Sequence, residues 1–560
     1  MPRTVLTGTG VGSRSVVAPC VRFEMPSLDG EVYWDVDTAT ATSRILDALQ
    51  HVATRLEQAS QQAVSPAAAD VLAATAEIAQ DPELTERLSD AATTHTPVAA
   101  VREVFDVYEA EFAQLGDYMA ARIPDLLSVR DRVIARLLDV AEPGLPTLNQ
   151  PSVVVATDLT PADTSNMDMS QIAGIVTEKG GSTSHTAIIA RQLGIACVVG
   201  TAGATNIEPG TILAVEGIPG TVTCNPDASH QERISRHQAR QTALEQDKQP
   251  GATSDGHSIA LLGNVGGVDD TGAVLAAGGE GIGLFRTEFL FLNSENEPTI
   301  EQQAALYAKV FRPMAGKKVV VRTLDAGSDK PISYATPTNE PNPALGVRAY
   351  RLTRSNPGLL ERQLEAIRLA AKQHPDTEVW VMAPMISTVA ETRAFVNLAH
   401  DAGLPQAGVM VEVPSAALLA NEILSIADFV SLGTNDLAQY TMASDRLAAE
   451  LSDLLNPWQS AVLRLIQLVC HAGNQLDKPV GVCGESAADP IMALTLVGLG
   501  VSSLSMSASS LAEVRHAIRH TPHATCIDIA HAAVAAPSAK AARNAALELV
   551  DPSVRELVVG

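Results

Sequence analysis

Apolar side chains return at three- and four-residue intervals along the first part of the chain. In SRILDALQHVATRL, residues 43–56, Ile45, Leu46, Leu49, Val52 and Leu56 fall on one face of a helix. Asp81-Pro82 starts another: the Asp side chain can accept from free amides, and Pro lacks an N–H that a first turn leaves unpaired. The stripe returns in Val101, Val104, Phe105, Tyr108, Phe112 and Leu115, then in Leu126, Val129, Val133 and Leu137. Residues 38–140 are therefore expected to form a helical bundle, whose inter-helix grooves suit a protein partner.

Beyond EPGLPTLNQP the rhythm changes. SVVVATD (152–158) and AGIVTEKGGSTSH (173–185) read as short strands, the helix TAIIARQLG follows, and further strands run to residue 224, giving a small α/β unit. Residues 228–247 have helical propensity but little apolar face, which predicts a solvated linker helix ending in a flexible joint, KQPGATSDG. From 257 to 510, strand-like runs alternate with helical ones: SIALLGNV, GIGLFRTE, KVVVRTLD, EVWVMAPM, GVMVEVP, DFVSLGTND, PVGVCGE and SSLSMS. Such alternation predicts a parallel (β/α)8 barrel, in which the carboxyl ends of the strands form the active-site mouth.

Composition narrows the partners. Apolar residues make up 46% of the chain and charged residues 18%, as in a globular protein. A formal charge of −25 repels nucleic acid and anionic membrane, so an anionic small substrate would need a local basic pocket. Aromatics, at 3%, leave few rings for stacking bases. The cysteines, Cys20, Cys197, Cys224, Cys470, Cys483 and Cys526, are scattered without metal spacing and are expected to be reduced thiols. With neither a signal-like apolar segment at the amino terminus nor a membrane-length apolar run, a cytoplasmic protein without membrane insertion is expected.

That basic pocket is legible at the barrel mouth. Strand ends carry Asn264, Arg286, Arg322, Glu412, Asn435 with Asp436, and Cys483, while Lys330, Arg348 and Arg446 lie in segments that follow strands. Guanidinium groups grip phosphate and carboxylate oxygens bidentately, so this many cations in an acidic chain point to a small, multiply charged anion. Glu412 and Asp436 are hard oxygen donors of the kind Mg²⁺ takes, one or two at a time. A neutral Cys483 thiol beside a bound three-carbon acid could protonate the carbon of an enolate. In GGSTSHTAIIARQLG, Gly180 and Gly181 allow a tight turn and Ser182, Thr183 and Ser184 supply hydroxyls. His185 follows at a helix start, where a phosphate on its ring would meet unpaired amides, with Arg191 two turns on.

GGSTSHTAIIAR, GIGLFRTEFLF, VVVRTLDAGSDKP, NPALGVRAYR, GVMVEVPSA, SLGTNDLAQYTMASDR and VGVCGESAADP, in this order, resemble Enzyme I of the bacterial sugar phosphotransferase system, the phosphoenolpyruvate-protein phosphotransferases. The resemblance covers nearly the whole chain. It implies that His185 is phosphorylated, that Arg286, Arg322, Asn435, Asp436 and Arg446 contact phosphoenolpyruvate with Lys330 and Arg348 near it, that Glu412 and Asp436 hold Mg²⁺, and that Cys483 donates a proton. The implied fold class is multidomain α/β. A helical domain (38–140) that docks the phosphocarrier HPr is inserted in a phosphohistidine α/β domain (1–37 and 141–226), followed by a linker helix (227–256) and a TIM-type barrel (257–560) that forms a homodimer.

This chain departs from the family at Ser182, where relatives often have a basic residue, in its opening GTGVGSRSVVAP, and in SPAAADVLAATAEIAQ, where relatives are acidic. An ATP-using pyruvate dikinase or phosphoenolpyruvate synthase would share the TSH and barrel motifs. It would also need a nucleotide-grasping domain, and the first 150 residues contain no glycine-rich phosphate loop. A non-catalytic regulatory relative would be expected to have lost site residues that this chain retains.

Overall fold

The computed structural model describes residues 3–12, 14–23, 26, 28, 30, 38–62, 66–114, 122–140, 142–145, 148–160, 163–164, 167, 169–181, 184, 186–187, 189–190, 194–292, 296–327, 332, 334–336, 340–445, 451 and 453–559. The chain divides into two compact units, the first running to Ala239 and the second from Arg240 to Val559.

In the first unit, β1 (Thr4–Thr7), β2 (Thr9–Val11) and β3 (Ser15–Arg22) precede helices α1 (Thr38–Gln62), α2 (Pro66–Ala79), α3 (Pro82–Ala91), α4 (Pro97–Gln114) and α5 (Ile123–Leu138). The predicted stripes supply the bundle core: Ile45, Leu49, Val52, Val101, Phe105, Leu126, Val129 and Val133 are all buried against one another. Leu115 lies outside the described residues. Asp81 caps α3 as its sequence suggests, accepting from the amides of Glu83 at 2.7 Å and Leu84 at 3.2 Å, with Pro82 in the first turn.

The chain then returns to a sheet through β4 (Ser152–Ala156), β5 (Ile172–Thr177), β6 (Ala196–Val199), β7 (Ile212–Glu216) and β8 (Thr221–Cys224). Its strand order is β1-β8-β7-β3-β4-β5-β6-β2, parallel from β3 to β6 and antiparallel at both flanks. Strand β4 explains its unbroken apolar run: Val153 and Val155 enter one core while Val154 and Ala156 enter the other, so both faces are covered.

Helix α6 (Ala228–Gln246) forms where expected and is mostly exposed, as its sparse apolar face predicts, but it is anchored at a few points. Ile234 and Leu244 are buried, and the carboxylate of Glu216 at the end of β7 accepts from His230 Nε2 at 2.9 Å and pairs with Arg233. Nor is the following segment a free joint. Gly251 donates to Glu280 Oε2 at 3.0 Å, Ala252 bridges to Ser258, and Asp255 accepts from the amide of His523 at 3.0 Å, because a turn that closes the barrel floor must satisfy its own backbone groups.

The second unit is the expected barrel. Its strands are β9 (Ala260–Val265), β10 (Gly281–Arg286), β11 (Lys318–Arg322), β12 (Glu378–Ala383), β13 (Ala407–Val411), β14 (Val430–Leu432), β15 (Val480–Val482) and β16 (Ser503–Met506), parallel throughout and closed by β16 on β9. Period-two alternation sorts their side chains. Val319, Val321, Val381, Val409, Val411 and Val430 face the helices, whereas Leu284, Val320, Met382, Met410 and Phe429 fill the interior. All six cysteines are buried, and among the described residues no helix is long and apolar enough to cross a membrane.

Candidate active site

The alternation that fills the barrel also loads its mouth. Two residues beyond Leu284, Val320 and Met410, on the same parity, come Arg286, Arg322 and Glu412, and two beyond Gly481 comes Cys483. An inward-facing apolar layer is thus capped by an inward-facing charged one.

Arg322 is buried between acids: Nη2 lies 2.7 Å from Glu288 Oε1 and Nη1 3.1 Å from Asp325 Oδ2. Arg348 is also buried, with Nη2 at 2.9 and 3.1 Å from the two oxygens of the same Asp325 and Nη1 3.7 Å from Asp436 Oδ1. Burial works against both guanidinium charges, but Glu288, Asp325 and Glu412 around Arg322, and Asp325 and Asp436 around Arg348, raise their pKa values well beyond the ordinary arginine range. Both cations are therefore fixed in position and permanently charged. Arg286 stands exposed at the end of β10, open to a ligand.

Glu412 is almost completely buried and accepts from the amide of Met385 at 2.6 Å. Met385 holds a left-handed φ of 57° to aim that amide, a local strain the site maintains. Gly433 permits the close approach of the next strand end, since a Cβ there would lie 2.9 Å from Glu412 Oε2. Helix α7 (Thr434–Met442) then starts at the mouth, with Asn435 exposed and Asp436 buried in its first turn. Thr434 Oγ1 and Ser486 Oγ, 2.6 Å apart, tie this helix start to the segment after β15, and Asn435 Oδ1 accepts from the Glu485 amide at 3.1 Å.

Burial pushes the Glu412 carboxyl well above the carboxylate range, and the neighbouring Asp436 and Asp325 push it further while Arg322 pulls it back. Glu412 and Asp436 are hard oxygen donors whose repulsion a divalent cation would relieve, which fits Mg²⁺. Among the described residues no group of three or more His, Cys, Asp or Glu side chains is arranged around a metal position.

Cys483 lies within electrostatic reach of Arg322, Glu412 and Arg286. Burial is the main cause of a thiol pKa pushed up to about 11, so at neutral pH Cys483 carries its proton. Asn264 donates to the Cys483 carbonyl at 3.1 Å and accepts from Ser505 at 2.6 Å, which fixes the strand end behind the thiol.

The mouth therefore brings together Arg286, Arg322, Arg348, Glu412, Asp436 and Cys483, with Asn435 on the rim. Lys330 and Arg446 lie outside the described residues, as do Ser182, Thr183, His185 and Arg191. Among the described residues next to His185 in sequence, Gly180 has a φ of 93°, Ser184 donates its amide to Gly181 O at 3.0 Å, and Ser184 Oγ accepts from the Ala187 amide at 3.3 Å. Sequence reasoning missed Glu288 and Asp325, the acids that hold the arginines. Their signal was present, since each stands two or three residues beyond an arginine at a strand end, in FRTE and RTLD.

The chain matches three family models in succession: the N-terminal domain of PEP-utilising enzymes over residues 7–122, their mobile domain over 148–220, and their PEP-binding domain over 240–523. Proteins named phosphoenolpyruvate-protein phosphotransferase are similar over most of their length. The one from Streptomyces coelicolor is 48% identical, covering 85% of this chain and 86% of its own. Those of Haloferax volcanii and Bacillus subtilis are 39% and 36% identical, covering 82% and 91% of this chain and 84% and 93% of theirs.

Proposed function

Because this chain belongs to the phosphoenolpyruvate-protein phosphotransferases, we propose that its barrel mouth grips phosphoenolpyruvate and that His185 takes the phosphoryl group, to pass it to the histidine of an HPr-type phosphocarrier. The observation that carries this reading is the convergence of Arg286, Arg322 and buried Glu412 around one protonated thiol, Cys483, with Arg348 and Asp436 linked to them through Asp325 and Glu412.

Arg286, Arg322 and Arg348 neutralise the phosphate and carboxylate of the substrate and hold its phosphorus for in-line attack. Asn435 offers an amide at the rim, and Lys330 and Arg446 are assigned as further contacts by family resemblance. Glu412 and Asp436 would hold Mg²⁺, which when bound draws charge from the phosphate oxygens. A nitrogen of His185 forms the new N–P bond as the bridging P–O bond breaks, and that electron pair stays on the substrate as an enolate. The Cys483 thiol delivers its proton to the methylene carbon, pyruvate leaves, and solvent reprotonates the thiolate. His185 belongs to the first unit and the substrate site to the second, so transfer requires the phosphohistidine domain to swing between the barrel and its carrier. The proposal includes a cytoplasmic enzyme that dimerises through the barrel, as in the family it resembles.

The test is phosphoryl labelling of the full chain with Mg²⁺ and phosphoenolpyruvate labelled in the phosphate. His185→Ala should take up no label, and an added HPr should discharge labelled wild type. Stoichiometric label persisting on His185→Ala would sink the assignment.

A further inference from the structure

Tyr440 has no part in the roles assigned so far, yet it stands where two elements of the mouth meet. It lies one helical turn beyond Asp436 on α7, so both side chains share a face of that helix. Its hydroxyl donates to the carbonyl of Ala344 at 2.5 Å and lies 3.4 Å from Arg348 Nη1. Ala344 is four residues before Arg348 in the segment that follows β11, so a single phenol from α7 holds both the backbone leading to Arg348 and one arm of its guanidinium. Asp325 occupies the other side of that guanidinium through Nε and Nη2. Just after Arg348 the backbone bends sharply: Ala349 holds a φ of 55° and donates to Ala326 O at 2.8 Å. A conformation that disfavours a side chain is thus maintained where Arg348 turns inward.

We infer that Tyr440 is a positioning residue for phosphoenolpyruvate binding, its hydroxyl locking Arg348 between Asp325 and Asp436 in the orientation that receives the substrate. The inference rests on the reading of Arg348 as a substrate contact. A tyrosine that merely packed would need its ring and not its hydroxyl. Burial, the first cause of the raised phenol pKa, keeps that hydroxyl protonated and able to donate to Ala344.

The experiment is a double-mutant cycle on the full chain, reading KM for phosphoenolpyruvate, kcat and the thermal midpoint. Tyr440→Phe keeps the ring and should raise KM roughly five- to tenfold, the range expected for one hydrogen bond, with kcat within about twofold and the midpoint lowered by no more than about 2–4 °C. In an Arg348→Ala background the same change should add nothing, because the group it positions is gone. An unchanged KM in Tyr440→Phe beside a weakened Arg348→Ala overturns the inference alone, as does an equal effect of Tyr440→Phe in both backgrounds. A wild-type KM in Arg348→Ala overturns the site reading and this inference with it.

Discussion

Asp325 is one buried carboxylate shared by two buried arginines, Arg322 and Arg348. Removing a partner from such a pair costs far more than the pair contributes, because an uncompensated buried charge remains. Asp325→Ala should therefore lower stability by about 3–5 kcal/mol in denaturant titration, and substrate affinity with it. Cys483 gives a pH expectation of definite sign. Its folded pKa of about 11 stands above the ordinary thiol value of 9.0, so the proposed proton donor stays loaded through pH 9 and is lost only as pH rises towards 11. Over the same window the folded state loses whatever stability the neutral buried thiol confers. Single-turnover pyruvate release measured against pH should thus lack a Cys483 limb below pH 9, and Cys483→Ala should retain substrate while turnover collapses. Much of this site was legible in the sequence because strand parity is: Arg322 follows Val320 and Glu412 follows Met410 by two residues. Glu288 and Asp325 were not recognised, since an acid near an arginine in sequence looks the same whether it pairs in the interior or points to water.

At the scale of elements, α7 is set by glycines as much as by its own residues. A Cβ on Gly484 would fall 2.0 Å from Thr434 Oγ1 and 2.8 Å from the Thr434 amide. Gly484→Ala must push the helix start away from the mouth. Overpacking of this kind costs about 1–3 kcal/mol. The accompanying shift of Asn435 and Asp436 should cost up to about a hundredfold in kcat/KM, measurable by steady-state kinetics beside a melting curve. The helices of the bundle and the barrel strands were legible from periodicity because each buries a continuous stripe or layer. The anchors of helix α6 were not legible, for the opposite reason. Its two buried anchors, Ile234 and Leu244, are too far apart in sequence to form a stripe, and its ties to Glu216 come from a strand end that only the fold brings near.

For the whole molecule, the division at Ala239 puts the proposed phosphoryl acceptor and the proposed substrate site in different units, and each unit has hydrophobic cores of its own. Residues 240–559 produced alone should bind phosphoenolpyruvate with near wild-type affinity by calorimetry and accept no label. Label on that fragment would place the acceptor in the barrel instead. The order of architectures was readable because helical stripe, alternating strand and β/α repeat occupy successive stretches of sequence. A further consequence lies in the thiols, all buried, with burial holding Cys470 and Cys526 at about 12 and Cys483 at about 11. Alkylating reagents attack thiolates, so at neutral pH these buried thiols are expected to react only slowly with maleimide dyes. One cysteine engineered on the bundle surface and another on an outer barrel helix would accept a fluorophore pair without first stripping the protein of its own sulfur. The proposed travel of the domain bearing His185 then becomes a distance read by energy transfer during turnover, with the proposed proton donor still in place.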